Sequence, residues 1–150
     1  MKRDRAAVRA TLLQAVIATS SEWRRHMDDE LKRHGCSAIE LAVVREVLAS
    51  PGTNQRALAA ELNLGSALVR ILDDLATRGV LERREDSGDR RNNRLYPLPS
   101  ARRFLQRGEQ ALRSLEADLL SGLDPQDLER HLLLLAEVLR RLGAGEVRPS

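Results

Sequence analysis

The chain has 150 residues and a formal net charge of +3, enough for one domain with a sizeable core but too mild a charge to name a partner. Trp23, Tyr96 and Phe104 are its only aromatics, so the core is built from Leu, Val and Ala, which favours helices. Cys36 is the only cysteine, which excludes an internal disulfide and fits a reducing cytoplasm; no apolar run is long enough to span a membrane, and residues 1–9 are too polar for a signal peptide.

The first predicted element is a helix over Arg5–Arg33, a stretch free of Pro and Gly. Leu13, Val16, Ser20, Trp23, Met27 and Leu31 recur along it at three and four, and Gly35 stops it. Ser37-Ala38-Ile39-Glu40 is a capping box that opens a second helix over Ala38–Ala49. Pro51-Gly52 breaks that helix, and Thr53 is expected to cap the next.

Residues 54–98 read as a short helix, a tight turn, a second helix and a charged β-hairpin. The helices are expected over 54–62 and 66–78. In the second, Leu68, Ile71, Leu72 and Leu75 form one buried stripe, and Gly79 ends it. Residues 80–84 read as a strand and residues 94–96 as the returning strand; Glu85, Asp86, Ser87, Gly88 and Asp89 supply turn chemistry between them. A helix-turn-helix followed by an arginine-tipped ribbon suits DNA: one helix fits the major groove, and a thin cationic ribbon reaches phosphates or the minor groove. Charge supports this locally. Residues 83–103 carry seven arginines against three acids, whereas residues 104–150 carry six against eight. A hairpin whose charges only keep it soluble is the plainer alternative. Of the 25 basic residues only Lys2 and Lys32 are lysine, and arginine suits bidentate contacts to phosphate and guanine.

A fifth helix is expected over Ala101–Leu120, with Leu105, Gly108, Leu112, Leu115 and Leu119 spaced at three and four. Gly108 within it costs about 1 kcal/mol against Ala, and either permits close helix approach or is merely tolerated. Asp124 then caps a helix with Pro125 at its first position, running to about residue 142. Leu128, Leu132, Leu135, Leu139 and Leu142 make one stripe, which Leu133, Leu134 and Val138 widen beyond one face. So much apolar surface on the first, fifth and last helices is better covered by a two-fold dimer than by packing within one subunit.

This order of elements resembles the multiple-antibiotic-resistance regulator (MarR) family of bacterial transcription factors over nearly the whole chain. The resemblance is carried by Gln55-Arg56-x-Leu58-Ala59-x-x-Leu62, Ala67-Leu68-x-Arg70-x-Leu72-Asp73-x-Leu75 and Arg78-Gly79-Val80-Leu81-Glu82-Arg83. The wing signature Asp89-Arg90-Arg91-x-x-Arg94 and Gly-Leu-Asp-Pro at 122–125 complete it. It implies a mainly α fold with a small β-hairpin wing, formed by a single domain over 1–150. Within it, residues of about 38–98 form the winged helix-turn-helix, and those of about 5–36 and 101–145 form dimerisation helices. It further implies a cytoplasmic homodimer on a pseudo-palindromic operator, most often a repressor of its own or neighbouring genes released by a small molecule or an oxidant. No cofactor and no membrane association are implied.

Residue roles follow. Ser66, Ala67 and Arg70 lie near the start of the reading helix, and Arg70 pairs with guanine or grips a phosphate. Backbone amides at Ser66 and Ala67 offer a further phosphate contact. Arg90 and Arg91 at the wing tip are candidates for the minor groove or phosphate, and Arg56 for the backbone. By resemblance Asp89 orients the wing arginine. Arg83, Arg84 and Arg94 at the wing base are candidate partners of Asp73, with Arg94 also a candidate for DNA. Three departures from the family stand out: a turn between Leu62 and Ser66 one residue short, Val69 and Asp74 where Thr or Ser and a basic residue are common, and Pro97-Leu98-Pro99-Ser100-Ala101 before the fifth helix. An exposed acid on the reading helix repels phosphate unless paired; with Asp74 and Val69 at these positions, a protein that keeps the fold but acts through protein contacts is the competing reading.

For a signal, Trp23 and Arg24 are candidates for a pocket taking a small anionic aromatic effector. Cys36 is a candidate oxidant sensor, although a core or loop thiol is favoured. His26, His34 and His131 show no ligand spacing, so no metal is expected even with Asp28, Asp29 and Glu30 nearby. No Gly-rich phosphate loop, nucleophile–base pairing or metal cluster points to an enzyme.

Overall fold

A computed structural model describes residues 5–86 and 89–143, with side chains described at 9–85 and 93–143. Its elements are α1 (Arg5–Arg33), α2 (Ala38–Ala49), β1 (Thr53–Asn54), α3 (Gln55–Glu61), α4 (Ala67–Thr77), β2 (Leu81–Asp86), β3 (Asp89–Pro97), α5 (Ala101–Leu120) and α6 (Pro125–Arg141). This is the mainly α architecture with a small wing that the sequence leads one to expect. The chain divides into two compact units, 1–115 and 116–150.

In the first unit the core gathers Leu31 from α1, Leu41, Val43, Val44 and Val47 from α2, Leu58 from α3 and Leu68, Leu72 and Leu75 from α4. Val80, Leu81 and Leu95 close it from the sheet, and Ala101 and Phe104 from α5. Only the C-terminal part of the α1 stripe takes part: Leu31 is buried, Met27 and Trp23 are half-buried, and every residue from 9 to 22 is exposed. Ile17 is 67% exposed.

Local chemistry sets the element ends. Ser37 caps α2 through the expected capping box: Glu40 N–H donates to Ser37 Oγ at 3.3 Å and Ser37 N–H donates to Glu40 Oε2 at 2.7 Å. The cap of α3 differs from expectation. Thr53 pairs with Leu95 in β1, an extended strand at the edge of a three-stranded antiparallel sheet ordered β1-β3-β2. Asn54 caps instead, its Oδ1 accepting from the Arg56 amide at 2.8 Å and the Ala57 amide at 3.4 Å. The short helix-turn-helix turn is closed by two left-handed residues, Asn63 at φ 52° and Gly65 at φ 51°. Asn tolerates this conformation and Gly adopts it freely, which lets so few residues reverse the chain. The strands also run further than expected, because residues 85, 86, 89 and 93 keep pairing toward the wing tip.

α5 crosses α2 closely at Gly108. A methyl group there would meet both Leu41 Cδ atoms at 2.6 Å, so Gly108 permits the approach and is not merely tolerated. Arg45 of α2 donates to Glu109 Oε1 at 3.1 Å beside it.

The second unit holds the end of α5 and α6. Asp124 caps α6, its Oδ1 accepting from the Gln126 amide at 2.8 Å, with Pro125 first in the helix. None of the α6 side chains is buried, and Leu133 is 65% exposed.

Candidate nucleic-acid interface

α4 buries Leu68, Leu72 and Leu75 against the first unit's core and half-buries Ile71. Ser66, Ala67, Val69, Arg70, Asp73 and Asp74 are all exposed. At about 100° per residue, Ser66, Val69, Arg70 and Asp73 fall opposite the buried stripe. The helix therefore presents a polar and cationic face outward, beginning next to the turn. Arg56 on α3 is also exposed.

The wing is tied to this helix by one arginine. Arg83 Nη1 donates to Asp73 Oδ1 at 2.6 Å, and Arg83 Nη2 donates to the Val69 carbonyl at 2.9 Å. The guanidinium thus bridges a side chain and a backbone acceptor one helical turn apart, which fixes β2 against the outer edge of α4. Of the three arginines proposed for Asp73, only Arg83 meets it. Arg84 pairs with Glu82 and lies over the Tyr96 ring at 4.3 Å, because it points to the other side of β2 (successive strand residues alternate faces). Arg94 Nη1 donates to the Gly52 carbonyl at 3.0 Å, bracing the loop before β1, and remains exposed. The roles expected of Asp89, Arg90 and Arg91 belong to side chains outside the described residues.

The Ala67 amide is occupied. It donates to the Leu64 carbonyl at 3.1 Å, so the expected phosphate contact through it is withdrawn: the tight turn uses that donor to close itself. Ser66 is helical at the cap, its side chain makes no cap hydrogen bond, and the residue is exposed.

Asp74 is paired. Arg78 Nη1 donates to Asp74 Oδ2 at 2.9 Å and to Glu40 Oε1 at 2.8 Å, while Nη2 donates to the Gly35 carbonyl. The guanidinium also lies 5.0 Å from the Phe104 ring centroid. One arginine at the end of α4 thereby joins the α1–α2 turn, the α2 capping box and α5. The hydrogen bond from Arg78 holds the Asp74 carboxyl below the usual carboxylate range. The sequence offered one signal for this, the i,i+4 spacing of Asp74 and Arg78.

Beside this cluster is an open cavity of about 610 Å³, lined by the α1–α2 turn, the start of α2 and the Ala67, Arg70, Ile71, Asp74 and Arg78 edge of α4. Trp23 and Arg24 are not among its lining residues; Trp23 is half-buried on α1, and Arg24 donates to Ser20 Oγ at 3.4 Å. Cys36 lines the cavity yet is only 4% exposed, and burial, reinforced by Glu40, pushes its thiol up. Among the described residues no cluster of three His, Cys, Asp or Glu side chains is placed to hold a metal, and no helix is long and apolar enough to cross a membrane.

No protein-family model matches the chain. Solved structures resemble it closely in fold. YusO of Bacillus subtilis superposes with a TM-score of 0.79 at 14% identity, over 92% of this chain and 99% of that one. A mutant MarR of E. coli gives 0.71 at 20% identity, over 85% and 96%. A mutant MepR of S. aureus bound to an oligodeoxyribonucleotide gives 0.62 at 19% identity, over 89% and 96%. The likeness extends over 85–92% of this chain: it has the winged-helix fold of the MarR-family transcription regulators.

Proposed function

We propose that the chain is a homodimeric, DNA-binding transcription regulator of the MarR family that represses its own or neighbouring genes. The observation that carries this reading is the outward face of α4. Ser66, Val69 and Arg70 are exposed opposite the buried stripe, and a basic wing is bolted alongside by Arg83. A helix presented in this way enters a major groove, while the wing arginines Arg90, Arg91 and Arg94 meet phosphate or the minor groove. Arg56 adds a contact from α3. The DNA-bound relative with the same fold supports this direction.

Dimerisation is proposed from the exposed apolar residues Leu12, Leu13, Val16 and Ile17 of α1 and Leu132, Leu133, Leu134 and Leu135 of α6. Exposed apolar side chains clustered on a helix, as on each of these two, mark a partner-covered face. Two-fold symmetry then sets two α4 helices on successive major grooves, about 34 Å apart, which calls for a pseudo-palindromic operator. Release by a small anionic aromatic effector near Trp23 and Arg24 belongs to the same proposal. The protein-contact alternative rested on Asp74 and Val69, and the ion pair with Arg78 removes the first of these grounds. Burial of Cys36 with a raised thiol pKa works against a thiolate sensor.

The test is a titration against the DNA upstream of the gene with excess unrelated competitor, beside Arg70→Ala and Arg91→Ala. Saturable, competitor-resistant binding is expected, steeply weakened by salt and by either substitution. Binding that competitor abolishes, with no salt dependence, refutes DNA reading.

A further inference from the structure

We propose that Val69 reads the 5-methyl group of a thymine, so that α4 distinguishes sequence through an apolar contact next to the Arg70 contact. The inference rests on the DNA-reading function proposed above and names what that same site recognises.

Val69 is the one large apolar side chain of α4 that the fold does not use. Leu68, Leu72 and Leu75 are buried and Ile71 is half-buried, whereas Val69 is 45% exposed. A β-branched residue at an exposed helix position is slightly unfavourable for the helix itself, so neither packing nor propensity accounts for it. Its place is fixed on both sides. The Val69 carbonyl accepts from Arg83 Nη2 and Asp73 accepts from Nη1 of the same guanidinium, so the wing clamps the turn of helix that carries the valine. The same clamp occupies Asp73. The exposed groups left near the start of α4 are therefore the Ser66 hydroxyl, the Ala67 methyl, the Val69 methyls and the Arg70 guanidinium, and of the two apolar ones Val69 has the longer reach.

Chemistry then selects the base. Valine has neither donor nor acceptor, and the only apolar group that a base pair shows in the major groove is the thymine 5-methyl. Set against a cytosine or adenine amine, the same side chain strips water from a donor and returns no hydrogen bond. In a helix the χ1 of valine is nearly locked, so its methyls are held in one orientation with little entropy to lose on contact.

The experiment first selects bound duplexes from a random pool with the full-length protein. Each thymine of the selected site is then replaced singly by deoxyuridine, which removes only the methyl. Dissociation constants are measured for wild type, Val69→Thr and Val69→Ala, with thermal melting to check that each variant is folded. One thymine in each half-site is expected to cost wild type about fourfold on replacement, the value of one methyl taken out of water. That cost shrinks in Val69→Thr and disappears in Val69→Ala, while changes elsewhere in the site keep their effects. An enriched site with no deoxyuridine-sensitive thymine, or with sensitivity that persists in Val69→Ala, overturns the assignment alone. A pool from which no site is enriched overturns it together with DNA reading.

Discussion

Replacing Arg78 by alanine tests whether the end of α4 is held by this one guanidinium. Four contacts go at once: Glu40, Asp74, the Gly35 carbonyl and the Phe104 ring. They are unequal. Asp74 is 55% exposed on its side chain and contributes at most about 1 kcal/mol after solvent screening. Glu40 is 13% exposed, so losing its cation leaves a largely desolvated carboxylate oxygen, which costs about 1–2 kcal/mol. The ring contact adds about 0.5 kcal/mol. Arg78→Ala should therefore lower the free energy of unfolding by about 2–3 kcal/mol in urea denaturation. DNA binding responds by a separate route. Freed Asp74 repels a phosphate about 10 Å away by about 0.4 kcal/mol in water, or about fourfold in affinity over two subunits. The double variant Arg78→Ala/Asp74→Ala separates the two routes: it should recover affinity toward wild type while remaining about 2 kcal/mol less stable, because Glu40 and Gly35 still lack their donor. A double variant as stable as wild type would refute the reasoning, since Asp74 would then be the only partner that matters.

Gly108→Ala sets a helix gain of about 1 kcal/mol against overpacking of about 1–3 kcal/mol. Both Leu41 methyls lie 2.6 Å from the new carbon, so leucine cannot escape by turning one away, and a net loss of about 1–2 kcal/mol is expected; in a Leu41→Ala background the same change should stabilise. Calorimetry at one protein concentration reads both, and a stabilising Gly108→Ala in the native background would show that the helices are looser than described. The Cys36 thiol is buried and held above its ordinary pKa by burial, so less thiolate is present at pH 7.5 than in the unfolded chain. Alkylation by iodoacetamide should be slow in the native protein and fast in denaturant, and rapid native labelling would contradict the burial. The Asp74 carboxyl is held below its usual range mainly by Arg78. Its contribution is thus complete above the unfolded value of about 4 and is lost as pH falls through the lower folded value. The stability difference between wild type and Asp74→Asn should be flat from about pH 5 to 8 and should narrow below about pH 4.

What the sequence made legible is what depends on neighbours in the chain. The capping box at Ser37 and Glu40, the proline start of α6 and the buried stripe of α4 follow from spacings of three and four, and all three stand as read. Contacts that wait for tertiary folding were not legible. Thr53 is a sound helix cap in isolation and loses that role only because β3 comes back to pair with it. Arg94 lies near three acids in sequence, and its bond to a carbonyl 42 residues away could not be read from that neighbourhood. The departures at Asp74 and Val69 separate the two cases. Taken alone, both argue against DNA reading, one as a repelling charge and the other as a residue without a hydrogen bond to offer. Asp74 changes meaning once Arg78 reaches Glu40 and Gly35, because a charge shared with a structural cluster no longer faces the groove unpaired. Val69 changes meaning for the opposite reason. It stays 45% exposed, and an apolar group held on the outer side of a helix, beside an arginine, is what the proposed thymine contact needs.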